Sequence, residues 1–139
     1  MKPILIDTDI LSFFFRNRKA HEQQATQQIN DYLKANRTFS ISIITYYELL
    51  NGLYFADTEE RTNEIDEFLM AQTILPISKE IAKKAAQIYA TLKKEGNSIA
   101  HNDILIAATA IVEGYILITN NEKHFGRIDE LQYENWSKL

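Results

Sequence analysis

The segment Tyr115-Ile-Leu-Ile118 has no polar face, and that property limits the architectures open to the chain. A strand with one wet face alternates apolar and polar residues. A strand apolar on both faces belongs to a parallel sheet covered by helices on either side. A second short apolar run, Pro3-Ile-Leu-Ile6, ends abruptly at Asp7-Thr8-Asp9. Helical patterns fill much of the sequence between them. One runs through Phe15 with Thr8 or Asp9 as its cap, and a polar helix spans about Lys19 to Asn36 with Ile29 and Leu33 on one stripe. Thr45 to Phe55 and Glu59 to Gln72 read as two more helices. Lys79 to Glu95 is amphipathic through Ile81, Ala85, Ile88, Tyr89 and Leu92, and stops at Gly96-Asn97. Asn97 to Val112 is a buried helix rich in small residues, ended by Gly114. Phe39 to Ile43 and Thr73 to Ile77 read as strands, and a last edge strand is expected near Ile128. This alternation predicts a three-layer α/β/α fold around a central, mostly parallel sheet.

The 139 residues show no repeat and no Gly/Ser/Pro linker, so one domain over 1–139 is expected. The absence of cysteine excludes disulfide scaffolds, thiol nucleophiles and thiolate zinc sites, and His21, His101 and His124 are scattered. The apolar run Ile104 to Val112 is about half of the ~20 residues a membrane-spanning helix needs. The chain therefore reads as soluble and cytoplasmic, with no membrane partner. A net charge of −4 argues against indiscriminate binding of nucleic acid through a basic face. Phosphate chemistry would need positive charge from a metal ion.

In covered parallel folds, ligands bind outside the carboxyl ends of the strands. Two strands end in polar clusters, Asp7-Thr8-Asp9 and Thr119-Asn120-Asn121. Each alone has an ordinary explanation in turn and cap chemistry. Asp103 shares an apolar helix face with Ile106, Ala107, Ala110 and Ile111, where a carboxylate needs a partner or a place in the first turn. Thr45-Tyr-Tyr-Glu48 matches a capping box, which explains Glu48 without chemistry. The case for a site is the constellation. Three carboxylates about 5 Å apart repel by roughly 3 kcal/mol per pair at an effective dielectric near 20. Protonation relieves part of that repulsion, and so does a divalent cation. All-oxygen ligands select Mg²⁺ or Mn²⁺ over zinc.

Four stretches carry a resemblance: Ile4 to Leu11, Ser40 to Leu49, Asn102 to Ala110, and Leu117 to Phe125. In this order and spacing, covering nearly the whole chain, they resemble the PIN-domain ribonucleases of the VapC toxin type. The resemblance implies a PIN-like fold and a Mg²⁺-dependent endoribonuclease that cuts RNA and is silenced by a cognate antitoxin. Asp7, Glu48 and Asp103 match the family's three acidic positions. The fourth position, often aspartate, falls on Asn121, which puts a second metal in doubt. Thr119 is expected to support the site by hydrogen bonding, and Asp9 to act as a cap or, as the alternative, as a metal ligand through water. On this reading Asp7 and Asp103 hold Mg²⁺, Glu48 contacts it directly or through water, and Glu48 or Asp103 orients or deprotonates the attacking water. The route makes no use of the 2′-hydroxyl, so the preference for RNA comes only from the resemblance.

Other readings remain open at this point. A DNA or flap nuclease shares the carboxylates but usually carries more basic surface. A phosphoacceptor domain would make Asp57 the acceptor at a strand end, and a binding-only module would have an inactive acidic site. Phe13, Phe14 and Phe15 are consecutive, while Tyr46, Tyr47, Tyr54 and Phe55 crowd one helix. No single stripe buries them all, so an antitoxin or a second copy, in a homodimer, is expected to cover some. An amphipathic antitoxin segment suits such a surface, and an arginine from it would neutralise the carboxylates. The oxygen-only donor set predicts that activity requires Mg²⁺ or Mn²⁺, is lost in EDTA, and is not restored to its natural rate by zinc. Full cleavage of RNA in EDTA would refute it.

Overall fold

The computed structural model describes residues 2–139. Five parallel strands form one sheet in the order β3-β2-β1-β4-β5. They are β1 (Ile4–Ile6), β2 (Ser40–Ser42), β3 (Thr73–Leu75), β4 (Ile116–Ile118) and β5 (Tyr133–Glu134). The helices are α1 (Thr8–Arg16), α2 (Ala20–Asn36), α3 (Ile43–Ala56), α4 (Glu59–Met70), α5 (Lys79–Lys94), α6 (His101–Glu113) and the short α7 (Glu122–Phe125).

Successive side chains of a strand point to opposite faces, and the apolar strands feed two separate cores. Leu5 and Leu117 pack with Ile81, Ile88, Ile104 and Ile106 of α5 and α6. Ile4, Ile6 and Ile118 pack on the other face with Ile10, Ile29, Leu49 and Ile65 of the first four helices. Both faces of β1 and β4 are therefore covered, and the three layers follow from the lack of a polar face. No helix among the described residues is long and apolar enough to cross a membrane.

Several boundaries differ from the sequence expectation. Asp7 itself, and neither Thr8 nor Asp9, is the N-cap of α1, and its carboxylate accepts a bond from the Thr8 N–H. At α3 the cap is Ser42, whose hydroxyl accepts from the Ile44 N–H, so the helix begins two residues before Thr45. The strand runs straight into the helix and its last residue serves as the cap. Glu48 consequently lies in the second turn, beyond the reach of a capping box. The expected edge strand near Ile128 is instead a turn, with Ile128 N–H bonded to Phe125 O and Leu131 N–H to Ile128 O. Phe125, Ile128 and Leu131 recur every third residue and are buried together, which is the spacing of a tight helical turn. The edge strand proper is β5, farther along.

Leu117 is fully buried at the centre of the sheet, whereas Tyr54 on α3 is 70% exposed. Leu117→Ala is expected to lower stability by about 2–5 kcal/mol in urea denaturation. Tyr54→Ala should change it by no more than about 0.5 kcal/mol.

Candidate active site

The strand order reverses direction at β1, which lies between β2 and β4. The crevice between the carboxyl ends of β1 and β4 is the switch point where such sheets bind ligands. Asp7 stands there, its backbone N–H donating to Ile118 O at 2.8 Å. Its side chain is buried, accepting from Thr8 N–H at 2.8 Å and from the Thr119 hydroxyl at 2.7 Å. Burial, followed by repulsion from Asp9, pushes the Asp7 carboxyl well above the usual range, against the pull of its two hydrogen bonds. Thr119 is fully buried and also accepts from Asn121 N–H at 3.0 Å.

Asp9, for which the sequence left a cap or a water-mediated ligand open, faces the crevice too. One oxygen accepts from Ile10 N–H at 2.7 Å and the other from Asn120 N–H at 3.1 Å, bridging α1 to the segment after β4. Burial raises its pKa, with Asp103 adding repulsion. The sequence signal for Asp9 is the Asp-x-Asp spacing, which cap chemistry and a metal site both explain.

Asp103 enters from the first turn of α6, half-buried, with its pKa raised by burial and by Glu48, and lowered in part by His124. Its carboxylate lies 3.6 Å from His124 Nδ1. His124 sits on α7, and Asn121 Nδ2 lies 2.9 Å from the same ring nitrogen. Asn121 thus engages an imidazole, a contact that sequence spacing did not indicate. Glu48 reaches over from α3. Its Oε1 accepts from the Thr8 hydroxyl at 2.6 Å, and its Oε2 from Asn102 Nδ2 at 3.3 Å. Thr8 and Asn102 are the sequence neighbours of Asp7 and Asp103, so Glu48 is tied to both.

Asp57 stands apart from this cluster. It follows the C-terminus of α3, paired with Arg61 at 3.1 Å, and ends no strand, which removes the phosphoacceptor reading.

The donor set is oxygen-rich, and three of its carboxyls hold their protons more tightly than free aspartate because burial and like charge penalise ionisation. A divalent cation relieves that penalty in place of a proton, and hard oxygen ligands suit Mg²⁺. Among the described residues, no three acidic or histidine side chains form a ready-made metal-binding group. The chemistry of the donors fits Mg²⁺, while their present hydrogen bonds tie them to the protein.

The PIN-domain family model matches residues 4–131. The chain belongs to the PIN-domain family. This PIN domain is 32% identical over 135 residues to Ribonuclease VapC1 of Haemophilus influenzae strain R2866, covering 96% of this chain and 98% of the relative. It is 29% identical to the tRNA(fMet)-specific endonuclease VapC of Shigella flexneri, covering 99% of this chain and 100% of that one. The solved structure of VapBC2 from Rickettsia felis, bound to a DNA fragment from its promoter, superposes with a TM-score of 0.81 at 30% identity. That match covers 96% of this PIN domain and 98% of the solved chain.

The raised Asp7 pKa makes a pH prediction whose sign is fixed. The folded state holds this proton more tightly than the unfolded chain, so the associated stability is complete below the unfolded aspartate value of about 3.9 and is lost as pH rises through the folded value. Asp7→Asn, without the buried charge, keeps the bond accepted from Thr8 N–H at its amide oxygen and reverses the other, its Nδ2–H donating to the Thr119 hydroxyl oxygen. In EDTA, its urea midpoint is expected above wild type at neutral pH, with the gap closing toward about pH 4. A variant less stable than wild type at neutral pH would refute it.

Proposed function

We propose that this PIN domain is a Mg²⁺-dependent endoribonuclease, the toxin of a toxin–antitoxin pair, silenced by a protein antitoxin and assembled with a second copy of itself. The observation that carries the reading is likeness over nearly the full chain to a curated VapC ribonuclease. The gathering of Asp7, Glu48 and Asp103 at the carboxyl end of the sheet supports it. The same likeness supports RNA over DNA as substrate, because hydrolysis by water leaves the 2′-hydroxyl unused.

We assign Asp7 and Asp103 to Mg²⁺, for which Mn²⁺ would substitute, with Glu48 contacting it directly or through water and Asp9 beside them. Bound there, the ion would offset phosphate charge and make a coordinated water more acidic. Thr119 keeps the Asp7 carboxylate aimed into the crevice, and Asn121 with His124 fixes the flank of Asp103. Thr8 and Asn102 hold Glu48. Asp103 or Glu48 takes the proton of the attacking water, whose oxygen bonds to phosphorus as the opposite P–O bond breaks.

A groove of about 210 Å³ runs from Glu48 and Thr8 between α1 and α3 to Arg16 and Arg61, with Leu49 and Leu53 in its wall. Phe13 is buried and Phe14 and Phe15 pack on Phe68, which accounts for the α1 aromatics within the fold. Tyr47 and Phe55 remain 60% and 92% exposed on α3, so they need cover from outside the chain. An antitoxin segment and a second copy are the partners that supply it.

Expression without antitoxin is expected to arrest growth, and Asp7→Asn to relieve the arrest. Purified Glu48→Gln should cleave permissive RNA at least about 100-fold more slowly. Its Mg²⁺-induced rise in melting temperature should also shrink. Near-wild-type cleavage together with an unchanged Mg²⁺ shift would remove Glu48 from the site. Wild-type protein that cleaves no RNA would leave a binding-only module.

A further inference from the structure

The rings of Tyr89 on α5 and His101 on α6 stack with centroids 4.9 Å apart and planes 20° from parallel. Lys93, one turn along α5, places its ammonium 5.6 Å from the Tyr89 ring centre. Tyr89 is anchored against the core beneath α5 and α6, while His101 and Lys93 are exposed. The imidazole caps nothing, because the N-cap of α6 is Ala100, with no side-chain cap bond. The stack nevertheless flanks the crevice. His101 is the sequence neighbour of Asn102, which donates to Glu48, while His101 and Asp103 are about 3 Å apart along the helix axis and about 200° apart around it.

A chain of net charge −4 with an acid-lined crevice gains little affinity from the phosphate backbone alone. Binding of RNA then calls for an attraction independent of charge, and aromatic stacking of an unpaired base provides one. We propose that the His101–Tyr89 stack, with Lys93 at its edge, is a docking platform for a nucleobase of single-stranded RNA that flanks the crevice. This inference rests on the ribonuclease reading and adds a determinant of substrate choice to it. The base stacks on the exposed imidazole and Tyr89 backs that ring from the core. Lys93 holds Tyr89 by a cation–π contact and meets a neighbouring phosphate. Paired bases are already stacked within a duplex, so the platform selects loops and unpaired ends.

The test uses the full chain as wild type, His101→Ala and His101→Phe, checked for equal melting temperatures. Cleavage of an unstructured RNA oligonucleotide in Mg²⁺ gives KM and kcat, and anisotropy of a labelled single-stranded oligonucleotide in EDTA gives Kd. His101→Ala is expected to raise KM and Kd about five-fold or more, the lower end of what one base–aromatic stack contributes, with the effect falling on KM rather than kcat. His101→Phe, which keeps a stacking ring, should restore both values. Unchanged KM and Kd in His101→Ala, no rescue by His101→Phe, or no measurable binding by wild type would each overturn the platform. Binding that depends on His101 without cleavage by wild type overturns the ribonuclease reading and upholds the platform. Cleavage that is indifferent to His101 does the reverse.

Discussion

The Asp7 carboxylate is buried at the point where an apolar strand ends, and much of the structure around it serves to make that burial tolerable. A buried carboxylate without partners is costly. Thr8 N–H and the Thr119 hydroxyl hold its two oxygens, and the Asp7 N–H ties β1 to β4 through Ile118 O. Even so, Asp9 and Asp103 add like charge, and the carboxyl holds its proton more firmly than an exposed aspartate. The fold maintains a local deficit of positive charge. The chain's overall acidity does nothing to relieve it, which is why the proposed partners, a divalent ion and an antitoxin arginine, both bring positive charge from outside.

The strand-to-helix junctions are what aim the side chains. β1 passes directly into α1 through the cap Asp7, and β2 into α3 through the cap Ser42. With no connecting loop at either junction, little freedom remains between sheet and site. Glu48 then lies in the second turn of α3, where Thr8 and Asn102 each bind one of its oxygens. A capping role would have turned the same side chain back along its own helix. The three-residue shift of the α3 cap, from Thr45 to Ser42, separates a local device from a tertiary one.

On the other flank, Asp103, His124 and Asn121 form a linked group. An aspartate at position 121 would add a further negative charge to the crevice. Asparagine contributes an amide beside the imidazole, so this flank carries less negative charge. Asp7, Asp9 and Glu48 place three carboxylates on the β1 and α3 side, and the exposed stack of His101 on Tyr89 stands at the start of α6, ahead of Asp103.

The amino-acid sequence by itself determined the layers, because residues such as Leu5, Ile6, Leu117 and Ile118 leave no polar face and require helices on both sides of a parallel sheet. It also singled out Asp7, Glu48, Asp103, Thr119 and Asn121, through their positions at strand ends and in motifs shared with a family. Tertiary structure decided their partners. Whether Asp9 is a cap or faces the crevice, whether Glu48 returns to its own helix or crosses to Thr8, and whether His124 meets Asp103 depend on distances across 40, 54 or 111 residues of chain, as in the bonds from Thr8 to Glu48, Asn102 to Glu48 and Asn120 to Asp9. Local propensity reads a few neighbouring residues, and caps and turns use the same Asp, Thr, Asn and Glu side chains as metal chemistry. Only the packed sheet, by bringing four separate segments to one edge, distinguishes the two.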